Sequence, residues 1–141
     1  MKRKKYTIGA YLYFRGDRVN PDDITNVLGI YPTDSQKKGD VSFTSTNRPI
    51  VARTGLWRLE AESDSNLVSD HVSQLLSGIP CSQEVLNGFE GVKKKYIDIF
   101  VGTLADDGGG GTVKFDLTKE NMEVLAKTGM PLFVTICVVR K

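Results

Sequence analysis

The chain has 141 residues, 40% of them hydrophobic and 26% charged, with a formal net charge of +2. That length suits one domain spanning residues 1–141 with its own core, and that composition excludes a disordered or collagen-like chain. The charge is too balanced to demand a polyanionic partner, and no apolar run approaches the ~20 residues of a membrane span.

Residues 6–15 put Ile8, Ala10, Leu12 and Phe14 on one face of a strand. The basic run at residues 2–5 followed by this apolar stretch loosely imitates a signal peptide. However, Arg15 and Asp17 end the stretch early and no small-x-small cleavage site follows, so a mature strand is expected. Asn20 then caps a helix, Pro21 fills its first turn, and Ile24, Val27 and Leu28 form its inner face. Gly29 ends the helix, and Ile30 folds back on it.

Residues 31–54 are rich in Ser, Thr, Lys and Gly, and Pro32 and Pro49 interrupt them. They read as an irregular segment with a short strand at Val41–Phe43. Residues 56–62 alternate, with Trp57, Leu59 and Ala61 inward and Arg58, Glu60 and Glu62 outward. A second helix carries Leu67 or Val68, Val72, Leu75, Leu76 and Ile79 inward, and Gly78 and Pro80 stop it.

Residues 95–103 read as a strand, 105–111 as a glycine-rich turn and 112–117 as the return strand of a hairpin, with Val113, Phe115 and Leu117 inward. Thr118 caps a third helix with Met122, Leu125 and Ala126 inward, and Glu123 can pair with Lys127 on its surface. Leu132–Val139 is apolar at both alternations, as a central strand covered on both faces would be. The order of elements predicts an α+β fold, a mixed and mostly antiparallel sheet with about three helices packed on it.

Chemical constellations are sparse. His71, the single histidine, falls near the apolar face of the second helix and has no His-x-x-x-His or Cys-x-x-Cys partner spacing, so no metal site is expected. The two cysteines, Cys81 and Cys137, are too few for a disulfide framework and suit reduced thiols of a cytoplasmic protein. Cys137 is expected in the core and Cys81 in an exposed loop. A Cys81/His71 pair is the one nucleophile arrangement available to an enzyme.

Residues 106–111 lead into a predicted strand without Gly-Lys-Ser/Thr, which excludes a phosphate loop, and they lack the closing glutamate of a calcium loop. The basic runs at 2–5 and 93–95 each precede a strand. They read as solvated strand starts, with nucleic-acid binding as the alternative use.

The segment Asp23-Ile24-Thr25, then Leu28-Gly29-Ile30-Tyr31-Pro32-Thr33, then Gly39, then Gly55-Leu56-Trp57-Arg58-Leu59 resembles a small bacterial family catalogued as domain of unknown function number 4279. Phe115-Asp116-Leu117, the helix containing Leu125 and the last strand are similar to that family's ending. The resemblance implies a small α+β cytosolic protein and brings no catalytic residues. Members of such families often look like immunity proteins, which neutralise toxins delivered between bacteria in contact.

The expected function is therefore a non-catalytic protein-binding module that needs no cofactor. An immunity protein acting on a cognate toxin is its particular form. Binding is expected at the 31–54 segment and the outer face of the following strand, through Arg48, Arg53, Arg58, Glu60 and Glu62, because charges on a rigid strand give a partner a fixed electrostatic pattern. A nuclease toxin would be met by carboxylates among Asp34, Asp40, Glu60, Glu62, Asp64 and Asp70. The alternatives are a small enzyme using Cys81 and His71, or a nucleic-acid-binding domain using its lysine runs.

Overall fold

A computed structural model describes residues 6–104, 112 and 114–139. In chain order the described elements are β1 (Tyr6–Gly16), α1 (Pro21–Leu28), β2 (Asp34–Gln36), β3 (Val41–Phe43), β4 (Pro49–Val51), β5 (Gly55–Glu60), α2 (Val68–Ser77), α3 (Gln83–Asn87), β6 (Lys94–Leu104), α4 (Lys119–Thr128) and β7 (Leu132–Val139).

Five strands form one sheet in the order β2-β5-β1-β6-β7, and β3 and β4 pair separately. Every neighbour in the large sheet is antiparallel except β6 and β7, which run parallel. The fold is thus α+β, with a mixed, mostly antiparallel sheet, as the order of elements predicts.

Alternation along the strands decides which face is covered. Ala10, Leu12 and Phe14 of β1 stand beside Trp57 of β5 and Ile97, Ile99 and Val101 of β6, and all are buried. Val68, Val72, Leu75 and Leu76 of α2, Ile24 of α1 and Leu86 of α3 complete that core. The second alternation, Tyr11, Tyr13 and Arg15 of β1 with Tyr96, Asp98 and Phe100 of β6, faces away from the helices and is half-buried.

The helix ends follow their sequence signals. The Asp22 N–H donates to Asn20 Oδ1 at 3.3 Å, and Gly29 takes the left-handed conformation at φ 71°, its N–H bonding the Thr25 carbonyl. Thr118 and Asn121 close a reciprocal capping box, with Asn121 N–H to Thr118 Oγ1 at 3.0 Å and Thr118 N–H to Asn121 Oδ1 at 3.1 Å.

Several expectations are corrected. β7 is an edge strand, with Phe133, Val134, Ile136, Val138 and Val139 exposed. The reason is connectivity. β1 occupies one side of β6 over its full length and β5 occupies the other side of β1, so the parallel crossover through α4 can add β7 only at the outside. Cys137 goes with it and is exposed instead of core.

Among the described residues, the return strand of the predicted hairpin does not form. Residues 114–118 are irregular, because β7 takes the edge of β6 that a hairpin would have used. Leu117 still packs on the core, Phe115 is exposed, and the turn at 105–111 and Val113 lie outside the described residues.

α4 is rotated by about one residue, roughly 100°, from its expected face. Asn121 and Thr128 are buried with Val124 and Leu125 partly so, while Met122 is exposed. Asn121 tolerates burial because its Oδ1 completes the cap and its Nδ2 donates to Ser73 Oγ of α2 at 2.8 Å. Val27 of α1 likewise points to solvent. On the α4 surface the ion pair is Lys119 with Glu123 at 3.9 Å, not Glu123 with Lys127.

Candidate partner-binding surfaces

Residues 31–54, expected to be irregular with one short strand, instead supply β2 to the large sheet and build a hairpin arm on β3 and β4. Val41 opposes Val51, Ser42 opposes Ile50 and Phe43 opposes Pro49. β-branched and aromatic residues favour this pairing, and Asn47, at φ 62°, supplies the left-handed residue that the turn needs. The Thr44 N–H bonds the Arg48 carbonyl at 2.9 Å across the tip, and the Gly39 and Ala52 N–H groups bond across the base at 2.8 Å each.

None of the arm's side chains joins the core cluster. Phe43 is 65% exposed, and Val41, Ile50 and Val51 are each more than half exposed. A shallow groove of about 630 Å³ runs along it between Lys38, Pro49, Ile50, Val51 and Arg53. Between residues 37 and 54, Lys37, Lys38, Arg48 and Arg53 are set against one carboxylate, that of Asp40, which accepts the Lys37 N–H at 2.8 Å. At the root, Lys38 Nζ bridges Asp17 at 3.3 Å. That hydrogen bond, helped by Thr54, holds the Asp17 carboxyl below its ordinary value. The tether is therefore present at neutral pH and is lost as pH falls through the carboxylate range.

The five charged residues expected at a single binding surface fall in three places. Arg48 and Arg53 belong to the arm. Arg58 lies on the open face of the sheet, its guanidinium 5.3 Å from the centroid of the Tyr11 ring. Burial and the neighbouring Glu60 push the Tyr11 hydroxyl pKa upward. Glu60 and Glu62 border a cleft of about 510 Å³ beside Tyr31, Thr33 and Gln74. Tyr31 is 85% exposed there.

The open face also carries features that reading the sequence did not single out. Tyr13 and Tyr96, directly opposed in register, stack at 4.9 Å, and Phe133 meets Tyr96 edge-on at 5.4 Å. Arg15 lies 4.9 Å from the centroid of the Tyr13 ring, and its Nε donates to the Tyr96 hydroxyl at 2.9 Å. Arg15, Tyr96 and Phe133, with Lys93, Lys94, Lys95 and Asp98, line a groove of about 880 Å³. Asp98 accepts a hydrogen bond from Thr135 at 3.3 Å. The period-2 pattern of Tyr11, Tyr13 and Arg15 was the available signal. The apolar alternation of the same strand, Ala10, Leu12 and Phe14, marks the opposite, core face. The basic run at residues 2–5 lies outside the described residues, whereas Lys93, Lys94 and Lys95 border this groove.

His71 and Cys81 are not brought together as a pair. His71 is buried in the first turn of α2, its Nε2 2.8 Å from the Ser65 carbonyl and its Nδ1 without a partner. Cys81 is exposed beyond the other end of that helix, where its Sγ contacts the Ile79 carbonyl at 4.0 Å. Among the described residues no group of three or more His, Cys, Asp or Glu side chains is placed to hold a metal, and no helix is long and apolar enough to cross a membrane.

Residues 4–138 match the family model described as Domain of unknown function (DUF4279), so the chain belongs to that family. No curated protein and no solved structure matches it.

Proposed function

We propose that the chain is a non-catalytic protein-binding module that grips its partner with the β3–β4 arm. The observation that carries this reading is the exposure of Val41, Phe43, Ile50 and Val51 on a hairpin that contributes nothing to the core. An isolated two-stranded hairpin is marginal in water, and apolar side chains grouped on one are a liability unless a partner covers them. Arg48, Arg53 and Lys37 around them favour a partner surface that is apolar at its centre and acidic at its rim. An immunity protein neutralising a cognate toxin is the particular form proposed, and the family resemblance is its support.

The test uses a toxin domain encoded beside this chain and calorimetric titration. Phe43→Ser with Ile50→Ser should leave the thermal midpoint unchanged, since neither side chain is in the core, and should weaken binding by about 100-fold or more, as loss of central anchors does. Glu60→Lys with Glu62→Lys should leave stability nearly unchanged and, towards an acidic rim, speed association, with an effect that shrinks in salt. Unchanged affinity in the arm variant sinks the arm as the interface. Tight binding without protection of toxin-expressing cells sinks the immunity role and leaves the binding module standing.

One observation favours a second reading, binding of an anionic ligand with a planar ring, such as a single-stranded nucleic acid. That observation is the groove in which Arg15, Lys93, Lys94 and Lys95 surround Tyr96 and Phe133. Bases stack on aromatic rings while lysines meet phosphates. A labelled single-stranded oligonucleotide should then lose affinity about 10-fold or more on Tyr96→Ala, and Lys94→Glu should flatten the salt dependence. No anisotropy change with the wild-type chain rules this reading out.

A further inference from the structure

β7 presents an unusual edge. Phe133, Val134, Ile136, Val138 and Val139 are between 43% and 59% exposed, and they lie on both faces of the strand. Edge strands are normally blunted by lysine, proline, a bulge or shortness. Leu132–Val139 has none of these: eight residues, no charge and no proline. The opposite edge of the sheet is blunted, because β2 has three residues and carries the exposed Asp34. Among the described residues, therefore, each copy has one long unpaired edge.

We propose that β7 is a homodimerisation strand, pairing antiparallel with β7 of a second copy about a two-fold axis near Thr135 or Ile136. A second copy fits this edge better than a foreign strand does. A typical half-solvated strand offers polar side chains at one alternation, which would bury unpaired polar groups against one face of β7. Another β7 is neutral and apolar at both alternations.

In either register, opposed residues share a face. Val134 of one copy meets Ile136 or Val138 of the other on the helical side, and Phe133 meets Cys137 or Val139 on the open side. Half-exposure of five large side chains leaves on the order of 400 Å² per copy, and with the flanking contacts two copies approach the ~1,000 Å² a specific interface must clear. Two-fold pairing also consumes the single long edge of each copy, so association stops at two. The arm springs from the β2–β5 side and stays free, so this inference does not depend on the proposed function.

Light scattering on the full chain at tens of micromolar should give twice the 15.6 kDa chain mass. Ile136→Lys with Val138→Lys should give a monomer with unchanged circular dichroism, since both side chains are exposed. Mild oxidation of single-cysteine variants at 135, 136 and 137, in a Cys81→Ser background with Cys137→Ser where needed, should cross-link one position far above the other two, because only residues at the axis face their own copies. A monomeric wild type overturns the proposal. So do open-ended aggregates, a lysine variant that stays dimeric, or an absence of cross-linking at all three positions.

Discussion

Trp57→Ala is expected to destabilise the protein by about 3–5 kcal/mol, the range for deleting a fully buried large aromatic. Three contacts are lost together. The indole is fully buried in the core, it meets Phe14 edge-on at 5.6 Å, and its Nε1 donates to Thr25 Oγ1 of α1 at 3.0 Å. The hydrogen bond pins α1 to β5, so its loss leaves the Thr25 hydroxyl without this partner as well as a cavity behind. Urea denaturation followed by circular dichroism measures this, because Trp57 is the single tryptophan and the variant has no indole fluorescence. Trp57→Phe should recover much of the loss by restoring the ring contact without the N–H. A neutral Trp57→Ala with impaired partner binding would move the indole from the core to an interface.

Gly16→Ala is expected to cost about 3 kcal/mol, at the upper end of overpacking effects. A Cβ on Gly16 would stand 2.2 Å from the Gly91 carbonyl oxygen and 3.0 Å from the Lys93 nitrogen, and those neighbours are backbone that cannot rotate aside. Gly91 cannot yield easily, because its own Cβ position falls 2.4 Å from the Arg18 carbonyl oxygen and its φ is +83°. The end of β1, the loop at Arg18 and the approach to β6 are thus stacked backbone on backbone. Relief requires moving residues 91–93, which strains the 2.8 Å hydrogen bond from Lys93 N–H to the Arg15 carbonyl. The same denaturation experiment checks this, and amide exchange should quicken most at Lys93. Stability within a few tenths of a kcal/mol of wild type would show that this junction has slack.

Much of the fold was legible in the sequence because the signals concerned were local. Alternation placed Ala10, Leu12, Phe14, Trp57, Ile97 and Ile99 in the core, and side-chain oxygens at Asn20 and Thr118 marked two helix starts. Gly29 ended the first helix because only a residue free of Cβ strain sits easily at its left-handed position. Cys81 was exposed as its loop position implied.

What failed depended on distant partners. The apolar character of Leu132–Val139 reports that β7 needs cover, but not where the cover comes from. The prior claim of β1 on one side of β6 sent β7 to the edge and Cys137 with it, and removed the return strand expected at 112–117. The burial of Asn121 depends on Ser73, which meets its side chain only when α4 packs on α2. The candidate surfaces followed the same division. The sequence marked residues 31–54 as distinctive and named Arg48 and Arg53. Only pairing across the arm put Val41, Phe43, Ile50 and Val51 in the open, and only the sheet register brought Arg15, Tyr13, Tyr96 and Phe133 side by side. Periodicity determines which side chains share a face, whereas the order in which strands add to a sheet determines whether anything covers that face.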